Sequence, residues 1–187
     1  MRVISGKFKG TKLKIPRSLD IRPTQDRVKE SIFNVIGNKI VNSRVLDLFA
    51  GSGSLGIEAL SRGASLVYFI DKSSRSVQLI KDNLKVVKAG EKSVNNFKVI
   101  KEDVLKFLRN KKDMVWDIIF IDPPYKIDGK IMVELFNIFS SGKIINRNSV
   151  IIYEYFLKKN IESEIKLMKV LKKSYFGDKI VSYISLL

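Results

Sequence analysis

The 187-residue sequence predicts one α/β domain built on a doubly wound sheet, mostly parallel, with an antiparallel hairpin at its C-terminal end. Segments typical of strands and helices alternate from residue 44 to residue 156, as in a parallel sheet with helices on both faces. The strand segments are rich in β-branched apolar residues, which indicates burial on both faces. Two later strand segments flank Gly177-Asp178 with no helix between them, so we expect them to pair antiparallel.

The chain begins with a basic extension, residues 1–22, in which "RVIS" and "TKLKI" are predicted to pair as a small hairpin around Gly6 and Gly10. A helix is predicted over residues 24–36, because its apolar side chains recur on one face and Thr24 can cap its first turn.

The core of the domain is predicted to occupy residues 44–187. Its strands are expected at 44–49, 66–70, 97–101, 117–121 and 149–156, its helices at 53–62, 73–88, 104–109 and 130–139, and the hairpin at 165–176 and 179–187.

The net charge and the absence of two residue types limit the partners and the chemistry that the protein can have. Lys and Arg total 35 against 19 Asp and Glu, a net charge of +16 that favours a polyanionic partner such as nucleic acid. The alternative is a compositional bias shared by the whole genome, since Lys greatly outnumbers Arg and since Ile and Asn are also plentiful. The absence of Cys and His excludes disulfides, thiolate nucleophiles, Cys-based zinc sites and an imidazole base. We see no leader or membrane-spanning run and therefore expect a soluble, cytoplasmic protein that binds no membrane and no metal.

"DLFAGSGSLG" places three glycines between a strand and a helix. Gly51 and Gly53 would let the backbone approach a ligand at the helix N-terminus. Asp71 ends the next strand, where a carboxylate can accept from both hydroxyls of a ribose. Two ligands meet this description, a dinucleotide and S-adenosylmethionine.

Asp47 favours the second ligand, because a carboxylate before the glycine loop repels pyrophosphate and suits the ammonium group of a methionine moiety. The alternative is that Asp47 caps the loop or helix. Asp103 follows the third strand beside Glu102 and could accept from an adenine amine, or cap the helix that begins at Val104, or do both.

"IIFIDPPYK" stops the fourth strand with two prolines, neither of which can donate to a sheet. The Asp122 carboxylate and the Pro123 carbonyl can each accept one N–H of an exocyclic amine on a base, turning the nitrogen lone pair toward a methyl donor. Pro123 and Pro124 hold these acceptors rigidly, and Tyr125 offers a ring for base stacking. The alternative is a proline-terminated strand with a capping Asp.

The glycine loop, Asp71, Asp103 and Asp-Pro-Pro-Tyr together resemble the class I (Rossmann-like) S-adenosylmethionine-dependent amino-methyltransferases. "RVISGKFKGTKLKIP" and "RPTQDRVKESIFNVI" resemble, more narrowly, the bacterial family that methylates guanine N2 in 16S ribosomal RNA. The resemblance covers essentially the whole chain, and implies a seven-stranded sheet whose last strand is antiparallel and a catalytic core over residues 44–187.

The resemblance also implies which residues act. The implied catalytic residues are Asp122, Pro123, Pro124 and Tyr125. The implied cofactor-binding residues are Asp47, Ala50, Gly51, Ser52, Gly53, Asp71, Lys72, Asp103, Val104 and Asp122.

The basic extension and the first helix are predicted to contact RNA. The candidates are Lys7, Lys9, Lys12, Lys14, Arg17, Arg22 and Arg27, with Phe8 as an interleaved aromatic residue. A solvated charged hairpin is the alternative for the extension. Arg22, Thr24 and Arg27 could instead line the mouth of the cofactor site, and Arg27 could pair with Glu30 along the helix.

The predicted function is methylation of a guanine N2 in ribosomal RNA by a monomer that acts on the small subunit or its assembly intermediate. A DNA or RNA adenine-N6 or cytosine-N4 methyltransferase, and a non-enzymatic RNA-binding assembly factor on the same fold, are the competing hypotheses. A dehydrogenase would leave residues 122–125 unexplained.

Overall fold

The computed structural model describes residues 1–15, 23–88, 96–110, 114–141, 143–159, 161, 164–165 and 167–187, with backbone only at 23–25, 88 and 159. The helices are α1 (Pro23–Ile36), α2 (Ser54–Ser61), α3 (Ser74–Lys88), α4 (Val104–Asn110) and α5 (Gly129–Ser140), with 3₁₀ turns at Gly37–Ile40 and Leu157–Lys159. The strands are β1 (Arg44–Leu48), β2 (Leu66–Asp71), β3 (Phe97–Lys101), β4 (Ile118–Ile121), β5 (Val150–Phe156), β6 (Met168–Phe176) and β7 (Lys179–Leu186). None of the helices in these ranges combines the length and apolar character that crossing a bilayer requires.

All seven strands form one sheet in the order β3-β2-β1-β4-β5-β7-β6. Strands β1 to β5 are parallel, whereas β7 runs antiparallel to both β5 and β6. The predicted doubly wound sheet with an antiparallel C-terminal hairpin is therefore confirmed. Because β1 pairs with both β2 and β4, the chain winds outward in both directions from this point, and a crevice opens beyond the carboxyl ends of these strands.

Two apolar cores sandwich the sheet. One packs α1, α2, α3 and the N-terminal hairpin against one face, and the other packs α4 and α5 against the opposite face. β1, β2 and β4 are buried on both faces as predicted. The same expectation is wrong for β3, which is only partly buried because it forms a sheet edge with a neighbour on one side only.

The N-terminal hairpin is part of the folded domain. Arg2 and Lys12 pair in an antiparallel bridge, as the sequence predicted for this segment. Phe8 is only 6% exposed and packs in the apolar core, so its predicted place on a basic surface is wrong. A ring of this size gains more by burial than by exposure among lysines.

Glu58 of α2 fastens the hairpin to the domain. Its fully buried carboxylate accepts the backbone N–H groups of Ile4 and Ser5 at 2.8 and 3.0 Å. The same carboxylate accepts from Arg62 Nε at 2.8 Å and lies 3.5 Å from Lys29 Nζ. Two cations and two amides thus compensate one buried negative charge, as a buried carboxylate requires.

Gly6 and Gly10 provide a matched test of this docking. Both have left-handed backbones, with φ of +82° and +85°, but a Cβ on Gly6 would lie 1.9 Å from the Ser61 carbonyl oxygen whereas one on Gly10 meets nothing within 4 Å. We expect Gly10→Ala to lower the free energy of unfolding by about 1–2 kcal/mol through backbone strain alone. Gly6→Ala should cost about 1–3 kcal/mol more, since the backbone of α2 must also shift.

Urea denaturation of both variants measures these losses, and amide hydrogen exchange at Val3, which bonds Thr11 across the hairpin, reports whether the hairpin detaches. Equal losses in the two variants would show that the contact with Ser61 is unimportant.

Candidate active site

Four carboxylates lie at the carboxyl edge of the sheet. Asp47 is the penultimate residue of β1, Asp71 is the last residue of β2, Asp122 directly follows β4, and Asp103 follows β3. Because parallel strands present their carboxyl ends at one edge, these side chains share the edge at which the crevice between β1 and β4 opens.

The connection between β1 and α2 is a tight loop held by a side chain of β2. Gly51 and Gly53 have φ of +56° and +74°, and helix α2 begins directly after Gly53. Asp71 Oδ2 accepts the Gly51 N–H at 2.9 Å, while its Oδ1 accepts the Ser73 N–H at 2.8 Å. One carboxylate therefore fixes both the glycine loop and the approach to α3.

Asp47 is only 3% exposed, and its Oδ2 accepts the Gly56 N–H of α2 at 2.9 Å. Burial raises the pKa of the Asp47 carboxyl well above its usual range, against the opposing effect of this hydrogen bond, and Asp122 and Asp71 raise it further. The capping contact that was the alternative for Asp47 is present, and contact with a ligand ammonium stays a prediction. Three carboxylates this close together favour a cationic ligand.

Asp103 caps α4 at the outer end of this edge. Its Oδ1 accepts the N–H groups of Leu105 and Lys106 at 3.0 and 3.2 Å. Its side chain is exposed, so the cap leaves room for the predicted contact with an adenine amine, which remains a prediction. Val104 is buried and packs in the core, whereas Lys72 is exposed.

Asp122 lies near charged side chains of β5 and β7. Its side chain is accessible to water, yet protein surrounds it on most sides at longer range, as on the wall of an open cleft. This crowding and the nearby Glu154 of β5 raise the pKa of Asp122 to about 7, while Lys179 of β7 opposes the rise. Burial alone would lower the pKa of Lys179, but Glu154, Asp122 and Tyr125 together raise it, so its ammonium stays charged.

An aromatic pair adjoins this carboxylate. Tyr125 is 62% exposed and stacks on Phe156 with ring centroids 4.1 Å apart and an interplanar angle of 23°. Lys179 Nζ lies 5.3 Å from the centroid of the Phe156 ring and donates to Glu154 Oε1. A flat, exposed aromatic surface beside a hydrogen-bond acceptor suits a planar base.

Reasoning from sequence did not identify Glu154, Phe156, Lys179 or Asn83. Asn83 of α3 is fully buried, exchanges hydrogen bonds of 2.7 and 3.0 Å with the backbone of Lys14, and donates to the Ser52 carbonyl at 2.9 Å. It thus joins the N-terminal hairpin to the glycine loop. A Glu inside an otherwise apolar strand was a signal for Glu154, whereas a single Asn in an amphipathic helix gave none.

The predicted RNA-binding residues are only partly described. Lys7, Lys9, Lys12 and Lys14 are all exposed on the N-terminal hairpin, and Arg27 is exposed on α1. Arg17 and Arg22, and the side chain of the predicted cap Thr24, lie outside the described residues. Asn83 bonds both the Lys14 backbone and the Ser52 carbonyl, and so holds Lys14 beside the glycine loop.

The strand order, with β7 inserted antiparallel between β5 and β6, is that of the class I S-adenosylmethionine-dependent methyltransferases. The glycine loop and the acidic residues lie at the carboxyl ends of the parallel strands. The chain belongs to the family described as conserved hypothetical protein 95, whose family model matches residues 1–185.

Related proteins agree with this assignment. The putative rRNA methyltransferase YlbH of Bacillus subtilis is 46% identical over 128 residues, 67% of each chain. Ribosomal RNA small subunit methyltransferase D of Buchnera aphidicola is 35% identical over 159 residues, 85% of this chain and 80% of that protein. The structure of a putative methyltransferase, yhhF, from Escherichia coli superimposes with a TM-score of 0.85 and 27% identity, and covers 100% of this chain and 97% of its own.

The charges around Asp122 predict an unusual titration. Carbon-13 NMR of the carboxyl groups, with the Asp122 signal assigned by its loss in Asp122→Asn, should show a midpoint near pH 7, so that the group is about half ionised at neutral pH. Glu154→Gln removes a negative neighbour and should lower the midpoint, whereas Lys179→Met removes a positive one and should raise it. A midpoint near pH 4 that neither substitution moves would contradict this description of the site.

Proposed function

We propose that the protein transfers a methyl group from S-adenosylmethionine to the exocyclic N2 of a guanine in 16S ribosomal RNA. The observation that carries the proposal is the Asp122–Tyr125 segment, which sets a carboxylate and an exposed stacked ring beside the crevice at the carboxyl edge. Relatives named ribosomal RNA small subunit methyltransferase D support the class of substrate.

The residues at the edge fit this cofactor. S-adenosylmethionine supplies an electrophilic methyl group on a positively charged sulfonium, and the electrostatically linked carboxylates of Asp47, Asp71 and Asp122 favour such a cation. We assign the ribose hydroxyls to Asp71, the ammonium to Asp47 and the adenine amine to Asp103. The backbone of Gly51 and Gly53 would approach the cofactor most closely, since neither glycine carries a side chain.

Asp122 and Pro123 would prepare the target amine. An exocyclic amine is a poor nucleophile because its lone pair is delocalised into the ring. When the Asp122 carboxylate and the Pro123 carbonyl each accept one N–H, the lone pair is directed out of the ring plane. Methylation makes the nitrogen acidic, and a carboxylate with a pKa of about 7 is suited to accept the released proton near neutral pH.

The rest of the molecule suits an RNA substrate. The net charge is +16, and the exposed lysines of the N-terminal hairpin are joined through Lys14 and Asn83 to the loop that borders the crevice. Bases in single-stranded loops can be splayed out and stacked on aromatic side chains, as Tyr125 would require. We therefore propose a loop of the small-subunit RNA, in the subunit or an assembly intermediate, as the substrate.

Mass spectrometry of nucleosides tests the proposal. Small subunits from cells that lack this activity, treated with the protein and S-adenosylmethionine, should gain N2-methylguanosine. Asp122→Ala should reduce the single-turnover rate by on the order of 10²-fold or more, because orientation and electrostatic stabilisation are lost together. Asp82→Ala, which removes a carboxylate on the outer side of α3 bonded to Gln78, is the matched control and should retain full activity.

Formation of N6-methyladenosine or N4-methylcytidine in place of N2-methylguanosine would overturn the substrate. Turnover by Asp122→Ala close to that of the wild type would show that the carboxylate is only structural.

A further inference from the structure

We propose that Glu154 and Lys179 form the guanine-reading part of the site, with the Glu154 carboxylate accepting guanine N1–H and the Lys179 ammonium donating to guanine O6. The inference rests on the proposed function and deepens it, because it names the groups that would select guanine among bases carrying an exocyclic amine.

The sheet places this ion pair directly beside the acceptor of the target amine. Ile121 of β4 pairs with Tyr153 of β5, so the next residues, Asp122 and Glu154, are neighbours at the carboxyl edge. Lys179 begins the adjoining strand β7 and donates to Glu154 Oε1. Carboxylate, carboxylate and ammonium therefore follow one another across three adjacent strands.

The ion pair also borders the aromatic surface. Lys179 Nζ lies over the Phe156 ring, and Phe156 stacks on Tyr125, the exposed ring after the two prolines. A base lying against Tyr125 with its amine at Asp122 would thus direct its neighbouring polar edge toward Glu154 and Lys179. Proteins commonly recognise a base that has left the helix by hydrogen bonds to its Watson–Crick edge, which in guanine carries N2, N1 and O6.

The order of charges matches guanine and opposes the other candidates. Along its edge guanine presents the N2 amine, then the N1–H donor, then the O6 acceptor. Beside the adenine N6 or cytosine N4 amine stands a ring nitrogen that carries a lone pair, which the Glu154 carboxylate would repel. Of the three bases with an exocyclic amine, only guanine can donate N1–H to the Glu154 carboxylate and accept from the Lys179 ammonium through O6.

The Glu154–Lys179 ion pair is not expected to add much to the stability of the fold. The Glu154 and Lys179 side chains are only 11% and 24% exposed, and an ion pair removed from water to this extent is often no more stable than well-packed apolar residues. The Lys179 contact uses one carboxylate oxygen, Oε1, and a carboxylate has about four lone-pair sites in all, so Glu154 can accept a further N–H.

The test uses small subunits reconstituted with 16S ribosomal RNA in which the guanosine methylated by the wild type is replaced, by ligation of a synthetic segment, with 2-aminopurine riboside. This analogue keeps the N2 amine but has a ring acceptor at N1 and no O6. The wild type should prefer guanosine in kcat/KM by on the order of 10²-fold or more, because the analogue leaves polar groups of the site unpaired.

Two variants test whether Glu154 and Lys179 recognise the base or act only through the charge state of Asp122. In Glu154→Gln the preference for guanosine should fall at least ~10-fold, since the amide can donate to the ring nitrogen of the analogue. Because Lys179→Met should also raise the pKa of Asp122, both reactions are compared at a pH well above the Asp122 midpoint of each protein. There Lys179→Met should slow guanosine methylation about 10-fold while leaving the slow 2-aminopurine reaction nearly unchanged, because the analogue has no O6. Glu134→Gln, which breaks the Arg109–Glu134 ion pair between α4 and α5, should keep the wild-type preference.

The outcomes distinguish this inference from the proposed function. If the wild type forms N2-methylguanosine and both variants keep its base preference, the inference is wrong and the proposed function stands. If the wild type forms no N2-methylguanosine, both fail. If calorimetry shows that Glu154→Gln no longer binds S-adenosylmethionine, that variant cannot report base preference, and the Lys179→Met comparison decides alone.

Discussion

The site depends on the hydrogen bonds that two strand-end carboxylates accept from the backbone of the β1–α2 loop and of the first turn of α2. Asp71 holds Gly51, and Asp47 holds Gly56. Gly56 must be glycine, because a Cβ there would lie 2.2 Å from the Phe69 ring. With the loop fixed in this way, the acidic edge of the sheet, the helix N-terminus and the crevice between β1 and β4 have one defined geometry.

From that fixed loop the site extends in two directions along the edge. Toward β2 and β3, Asp71 and Asp103 accept backbone N–H groups and, on the proposed function, would also accept from the uncharged parts of a nucleoside cofactor. Toward β4, β5 and β7, the charges of Asp122, Glu154 and Lys179 influence one another and border a stacked aromatic pair. Asp47 lies between the two halves and is electrostatically linked to both. A methyl donor and an acceptor amine would therefore meet at the end of β1.

Much of this could be predicted from local sequence, because parallel strands, glycine turns and proline stops leave short-range patterns. The strand and helix bounds were predicted to within one residue from such patterns, apart from the start of β6, which was predicted at 165 and lies at Met168. The acidic strand ends and the Asp122–Tyr125 segment were predicted in the same way. Glu154, Lys179 and Asn83 could not be, since their partners come from distant segments and their roles depend on strand order. Phe8 was misassigned because a hairpin alone gives no sign that α2 and α3 cover one of its faces.

The most direct test of the central claim, that the acidic edge holds the cofactor, is isothermal titration calorimetry of S-adenosylmethionine with Asp71→Ala and its matched control Asp82→Ala. Loss of hydrogen bonds to a charged acceptor should weaken binding to Asp71→Ala by about 1.5–3 kcal/mol, or roughly 10- to 150-fold in Kd. Asp82→Ala should bind like the wild type. Wild-type affinity in Asp71→Ala would contradict the account.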